Sequence, residues 1–425
     1  MVQKDVIELL KMKKPDTFQA SFNRENLVYR VLQKGDTYQR ICDYLNAHPN
    51  ESGIIYCQSR KTVESVAEKL RADGFRALPY HAGMESTNRS KNQDQFIKDN
   101  AEIIVATIAF GMGIDKPNVR FVIHYDLPKN IESYYQQTGR AGRDGLKSDC
   151  ILYYSYGDKA KIEYFINNME KPHERKIAYN KLSQMIHYCD TLVCRRRVLL
   201  EYFGEEFTQD NCGACDNCLR KDDESGKFDG TVIAQKLLSC VYRMDQRFGM
   251  TYVIDVLRGS KSERIFHNRH QFLSTYGIGS DISKKQWQVF ARELMQQGLL
   301  VIEGGEYPVL KLTKKSIDVL FKKEKVFLTP YVEYKAKKVS DDTLDYDRGL
   351  FERLRQLRKR IADEQNVPPY VVFHDRTLRD MSRQIPESWN DLKNIFGMGE
   401  SKLKRYGPRF LKEIVGYIQQ TKSGI

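Results

Sequence analysis

Three cysteines, Cys212, Cys215 and Cys218, stand at CxxCxxC spacing, and Cys194 lies upstream in "CRRRVLLEYFG". Four thiolates around one ion make a closed tetrahedral site, which holds structure together rather than leaving a position open for catalysis. The loop spacing also suits iron–sulfur ligation, so the residues alone leave both metals open. Cys42, Cys57, Cys150, Cys189 and Cys240 sit in apolar contexts and read as buried thiols. A second chemistry lies in "QQTGRAGRDG" (Gln136–Gly145), where Arg140 and Arg143 stand among Gly139, Gly142 and Gly145. Glycine lets backbone approach phosphate, and a guanidinium can neutralise charge on a transferred phosphoryl group. A companion loop, "AFGMGIDKPNVR" (Ala109–Arg120), also combines glycine, aspartate and arginine. On their own, both loops could equally be turns bearing solvated charges. No Gly-rich loop ending in Gly-Lys-Ser/Thr accompanies them, nor an acidic pair after a buried strand; "GRDGLKSD" has the wrong spacing.

These loops need a scaffold, and residues 53–154 supply the pattern of one. "GIIYC", "ALPYHAG", "IIVATIAF", "VRFVIHYD" and "CILYY" are short apolar runs, separated by helical stretches at Lys61–Gly74, Ser86–Lys98 and Ile131–Thr138. Strands without polar alternation, interleaved with helices, predict a parallel sheet covered on both faces. Ligands of such sheets bind at the carboxyl ends of the strands, where the two motif loops fall. From Asp158 to Gly204 the spacing is helical and leads into the cysteine cluster. Residues 229–321 mix helices with "GLLVIEGGEYPVLKLT", a strand, a Gly-Gly turn and a strand, which suggests a winged helix. A charge-rich linker follows, and Leu350, Leu354, Leu357 and Ile361 then open a small all-α domain.

Composition narrows the partners. The 425 residues are 41% hydrophobic and 29% charged, which fits several folded domains rather than a disordered chain. A formal net charge of +13 favours a polyanion, nucleic acid before an anionic membrane. No apolar run approaches the ~20 residues needed to span a bilayer. With no secretory signal, nine cysteines favour thiols and metal ligation over a disulfide framework.

In family order, "GIIYCQSRKTVESVAEKL", "ALPYHAGM", the stretch from "IIVATIAFGMGIDKPNVR" through "QQTGRAGRDG", and the cysteine set resemble the second motor lobe and zinc module of RecQ-family DNA helicases of superfamily 2. "RFGMTYVIDVLRGS" with "YGIGSD" resembles the family's winged helix, and "LRKRIADEQNVPPYVVFHDRTLRDM" its C-terminal HRDC domain. The resemblance implies a multidomain α/β plus α fold. Residues 1–34 would be a connector from a first motor lobe that is not in this sequence, and 35–157 a RecA-like parallel α/β lobe. A helical four-cysteine zinc module would occupy 158–225, a winged helix 226–325, a linker 326–345 and an HRDC domain 346–425.

The implied activity is ATP-dependent 3′–5′ unwinding of DNA in recombination, repair and replication. Arg143 would be the arginine finger and Arg140 its support; Asp115, Gly113 and Gln136 would meet the nucleotide. Ser59, Arg60, His81 and Thr107 would contact the tracking strand, although by residue type alone each suits an ordinary turn, surface, core or strand-end role. Arg258, Lys261, Arg269 and His270 would face duplex backbone, or form a solvated basic face. Tyr370 would stack on unpaired bases, or pack as a core tyrosine. "FGMGESKLKRYG" reads as a phosphate nest or a tight helix–helix turn. The implied cofactors are one structural zinc, with ATP and Mg2+ in the complete enzyme. The implied partners are single-stranded, junction and branched DNA and a single-stranded-DNA-binding protein, met by a monomer in the bacterial cytoplasm and not at a membrane. The competing readings are a DNA-binding scaffold without catalysis and, less well matched to the tail, an RNA helicase.

Overall fold

The computed structural model describes residues 9–11, 16, 20–111, 114–191, 193–209, 211–221, 227–303, 309–322, 324–330 and 345–422. Its first layer is built from β1 (Leu27–Gln33), α1 (Thr37–Ala47), β2 (Ser52–Tyr56), α2 (Arg60–Ala72), β3 (Ala77–Tyr80), α3 (Ser86–Ile97), β4 (Ile103–Ala106), β5 (Val119–His124), α4 (Ile131–Thr138) and β6 (Ser148–Tyr154). The six strands form one sheet in the order β1-β6-β5-β2-β4-β3, every pair parallel. β2, β4 and β5 are buried along their whole length, so apolar residues on both faces meet helices. One core cluster joins Ile54, Ile104 and Val122 on one face, and another joins Ile55, Val105 and Ile123 on the other.

The expected connector over residues 1–34 needs correction. Leu27–Gln33 is a full strand of the sheet, in register with Ser148–Tyr154. It escapes an apolar-run criterion because only its first three residues are buried; the rest, at the sheet edge, are half-buried. The expected linker over 326–345 is likewise trimmed from its front by Phe327–Leu328.

Beyond the sheet run α5 (Tyr156–Asn167), α6 (Pro172–Asp190), α7 (Arg195–Tyr202) and α8 (Asp216–Lys221). A third body contains β7 (Phe228–Asp229), α9 (Thr231–Arg243), α10 (Met250–Leu257), α11 (Glu263–His267), α12 (Lys284–Gln296), the hairpin β8 (Leu300–Glu303) and β9 (Val309–Leu312), α13 (Lys314–Phe321) and β10 (Phe327–Leu328). β10 pairs with β7 and closes this body. Its core is centred on Trp287, which is fully buried. Helices followed by a two-stranded antiparallel wing are the winged-helix arrangement; the wing's Gly-Gly turn lies outside the described residues.

The tail holds α14 (Arg348–Glu364), α15 (Pro369–Val372), α16 (Asp375–Gln384), α17 (Trp389–Lys393) and α18 (Glu400–Lys422) around its own core. Leu350, Leu354, Leu357 and Ile361 do form its inner face.

Candidate functional site

The two motif loops meet. Arg143 donates from Nη1 to the Ile114 carbonyl at 3.0 Å and to the Asp115 carboxylate at 2.5 Å. The Asp115 side chain is 84% exposed and that of Arg143 36%, so the pair faces solvent and both groups are free to engage a charged ligand. Arg140 lies beneath the companion loop. Its Nη2 would lie 2.7 Å from a Cβ on Gly111, so the loop passes close over the movable end of the arginine. Arg140 also approaches the Tyr56 hydroxyl, whose pKa burial pushes well up and Arg140 partly lowers. Gln136 is exposed beside these groups, and Gly113 lies outside the described residues.

Two residues hold the arginine loop that sequence reasoning placed in a connector and passed over. Arg24 donates to the carbonyls of Ala141 and Gly142 at 3.0 and 2.9 Å, and Asn26 donates to those of Gly142 and Leu146 at 2.8 and 2.9 Å. Gly142 has φ +57°, and a Cβ there would lie 2.7 Å from the Leu146 oxygen. Only glycine fits this turn without strain.

Ser59, His81 and Thr107 follow β2, β3 and β4, which are neighbours in the sheet, so the fold brings them to one edge of the carboxyl-end crevice. The Ser59 hydroxyl caps α2 by accepting from the Thr62 amide at 3.0 Å while remaining exposed. Arg60 is exposed and lies over Gly83. His81 is buried, with Nε2 2.7 Å from Glu64, and its Nδ1 has no partner. That imidazole is fixed by Glu64 and keeps one ring nitrogen uncommitted.

The cysteine set assembles as its spacing implies. The Sγ atoms of Cys194, Cys212, Cys215 and Cys218 lie within 4.8 Å of one another. Tetrahedral Zn–S bonds of about 2.3 Å place sulfurs about 3.8 Å apart, so four thiolates at this separation fit one ion. Cys194 is the residue before α7 and Cys218 lies on α8. The amides of Cys212 and Cys218 donate to the sulfurs of Cys218 and Cys215. The knuckle is also stitched to the sheet: Tyr29 N donates to Ala214 O at 3.0 Å, and Tyr29 bridges Cys215. Asp216 accepts from Val31 N at 3.1 Å and takes a two-pronged contact from Arg195, whose outer prong is 2.9 Å. The five other cysteines are all buried.

In the winged helix, Lys261 and Arg269 are exposed, Arg269 with φ +56°. Arg258 is half-buried and donates to Ile282 O at 3.1 Å; His270 Nδ1 is 2.9 Å from the Tyr252 hydroxyl, and burial lowers its pKa. α12, where a winged helix ordinarily reads DNA, has no exposed residue from Lys284 to Met295. Arg292 reaches Asp190 at 3.6 Å and the Tyr154 ring at 5.6 Å, and Lys285 reaches Asp36 at 3.4 Å. The helix is therefore wedged against the sheet body and α6. Tyr370 is half-buried and parallel to the His374 ring at 6.5 Å. Burial, then the nearby Asp115 carboxylate, raises its pKa. No described helix is long and apolar enough to cross a membrane.

A parallel-sheet lobe with an arginine loop at its strand ends, a four-cysteine module, a winged helix and a helical tail follow one another along the chain, the order of parts of a DNA helicase beyond its first motor lobe. Known families match in that order: helicase conserved C-terminal domain over residues 36–145, RecQ zinc-binding over 156–219, RQC domain over 224–337 and HRDC domain over 347–414. The ATP-dependent DNA helicase RecQ of Haemophilus influenzae is 43% identical over 417 residues, 96% of this chain and 66% of that protein. Its namesake in Pasteurella multocida is 41% identical, over 97% of this chain and 65% of the relative. That of Bacillus subtilis is 40% identical, over 99% and 69%. This chain belongs to the RecQ family of DNA helicases, and it spans about two thirds of the length of these relatives.

Proposed function

We propose that this chain is the C-terminal part of an ATP-dependent 3′–5′ DNA helicase acting in recombination, repair and replication, and that it binds where duplex meets single strand. The observation that carries the reading is the exposed Arg143–Asp115 pair at the carboxyl end of the sheet, beside Arg140. Bound ATP with Mg2+ would supply phosphoryl transfer. This chain's part is to present Arg143, supported by Arg140, to the phosphates as charge develops there. Asp115, Gln136 and Gly113 contribute the remaining nucleotide contacts, and exchange of the Arg143–Asp115 pair for nucleotide links the two loops. Ser59, Arg60, His81 and Thr107 line the tracking strand, while Lys261 and Arg269, with Arg258 and His270 behind them, meet duplex phosphates. One structural zinc at the four cysteines holds the module that lies against the edge strand of the lobe. A single-stranded-DNA-binding protein is the expected protein partner, and the chain works as a monomer in the cytoplasm.

The sequence holds no phosphate loop, which favours a second reading for the chain by itself: a DNA-binding body without catalysis. DNA-stimulated ATPase of the purified chain separates the two. The expected turnover is background, because no Gly-rich cradle or magnesium-binding acid is present in these residues. Turnover that disappears in Arg143→Ala would show a complete site within this chain.

A further inference from the structure

The helical tail sits against the sheet body through a chain of six buried charges in alternating sign. Lys116 pairs with Asp99, Asp99 lies 4.0 Å from Arg358, and Arg358 donates to Asp375 at 2.7 Å. Asp375 in turn lies 4.0 Å from Arg120, which pairs with Asp144. None of these side chains is more than 13% exposed. Arg358 and Asp375 come from the tail and the other four from the lobe, so each side is neutral and already paired within itself. Burial would raise the Asp375 carboxyl, but Arg358 and Arg120 outweigh it and hold it at about 2. At the rim, Lys98 Nζ donates to Asn366 at 2.7 Å and Arg355 to the Asn50 carbonyl at 3.0 Å.

Two features give this seam a meaning. First, Lys116 directly follows Asp115 and Asp144 directly follows Arg143, so each nucleotide-facing residue has a tail-facing neighbour. Second, the tail presents its candidate stacking surface to the same loops. Arg376 comes within 3.7 Å of where a Cβ on Gly145 would stand, His374 feels the Asp144 carboxylate, and Tyr370 feels Asp115. With the tail in this position, the Tyr370 face is turned to the exposed Asp115 carboxylate, so a DNA strand laid on Tyr370 would bring its phosphates towards that anion and into the space the loops occupy. Cross-seam ion pairs between groups already satisfied at home contribute little net stability, so the contact is suited to opening.

We propose that the tail has two mutually exclusive occupants for its Tyr370 face, the lobe's arginine loops and a single strand of DNA, so that docking withholds the tail from DNA. The inference rests on the reading of Tyr370 as a stacking residue. It makes the seam a coupling device: whatever moves the Asp115 and Arg143 loops shifts the docked fraction, and strand capture by the tail shifts those loops in return.

The test uses the full, zinc-loaded chain with Arg76→Cys and Lys359→Cys, two residues that face one cleft between lobe and tail and belong to neither the charge chain nor the nucleotide loops. A short bis-maleimide bridges them, and the same chain capped with N-ethylmaleimide is the control. A fluorescent oligothymidine is titrated against both forms, each with and without Tyr370→Ala. The bridged form should bind at least about five-fold more weakly, the low end of one stacked base, and Tyr370→Ala should matter only in the capped form. Saturating oligothymidine should slow bridging at least ten-fold. Equal affinity of bridged and capped forms, or bridging indifferent to oligothymidine, would overturn the proposal. Slowed bridging with Tyr370→Ala silent in both forms would support exclusive docking and reject the stacking role instead.

Discussion

Removing the Asp216 carboxylate should loosen the zinc module far more than its size suggests. Arg195 and Asp216 side chains are 4% and 10% exposed, and the same carboxylate also accepts from Val31 N on the edge strand. Asp216→Ala therefore leaves a guanidinium buried without its anion and an edge-strand amide without its acceptor. Breaking a buried pair by deleting one partner costs about 3–5 kcal/mol. At ~1.36 kcal/mol per decade this is roughly a 10²- to 10⁴-fold shift towards the opened knuckle. Metal release that passes through the opened state should accelerate in proportion, read as colour development when a metallochromic chelator is added. The control is Asp36→Ala, which removes an exposed partner of Lys285, 77% and 35% exposed, and should cost under ~1 kcal/mol. Equal release rates from the two variants and wild type would refute the claim that Asp216 locks the module to the sheet.

Gly142→Ala should destabilise the lobe by about 1–2 kcal/mol from left-handed backbone alone, with further loss from collision at Leu146 O, seen as a lowered melting temperature. His124 is fully buried against Gln137, and burial lowers its pKa to about 4. Its folded pKa is thus below the ordinary ~6.5, so the stability it contributes is present above pH 6.5 and is lost as pH falls towards 4, up to about 3 kcal/mol. The melting-temperature difference between wild type and His124→Gln should narrow across that window; a constant difference would contradict it. Elemental analysis should give one zinc per chain, lost together with the folded module in Cys215→Ser, whereas iron in the folded wild type would refute the assignment.

How much of this was legible follows from where each residue's partners lie. β2, β4 and β5 are largely apolar because both faces are covered, and α4 begins and ends at Ile131 and Thr138 as its spacing predicts. The ligand cysteines declare themselves because three of the four are local. β1 did not, because its outer half is half-buried and mixed in character, and with it went Arg24 and Asn26, whose roles are carbonyls more than a hundred residues away. The charge chain was invisible for the same reason: Arg358 in "LRQLRKR" looks like a solvated helix face until Asp99 and Asp375 are placed beside it. Of the winged-helix cations, residue type could not separate exposed Lys261 and Arg269 from Arg258 and His270, which are engaged within the fold. Nor could it show that α12 touches the sheet body and α6 through Arg292 and Lys285.

In the proposed mode these bodies together grip a junction, one strand on the lobe and tail and duplex on the winged helix. The most direct measurement is a titration of partial duplex, blunt duplex and single strand at two salt concentrations with the intact chain. Binding should be tightest to the partial duplex, with log K for duplex falling by ~0.9 per phosphate neutralised as log salt rises. Equal affinity for all three, with one common salt slope, would contradict it and leave only the general attraction of a basic surface.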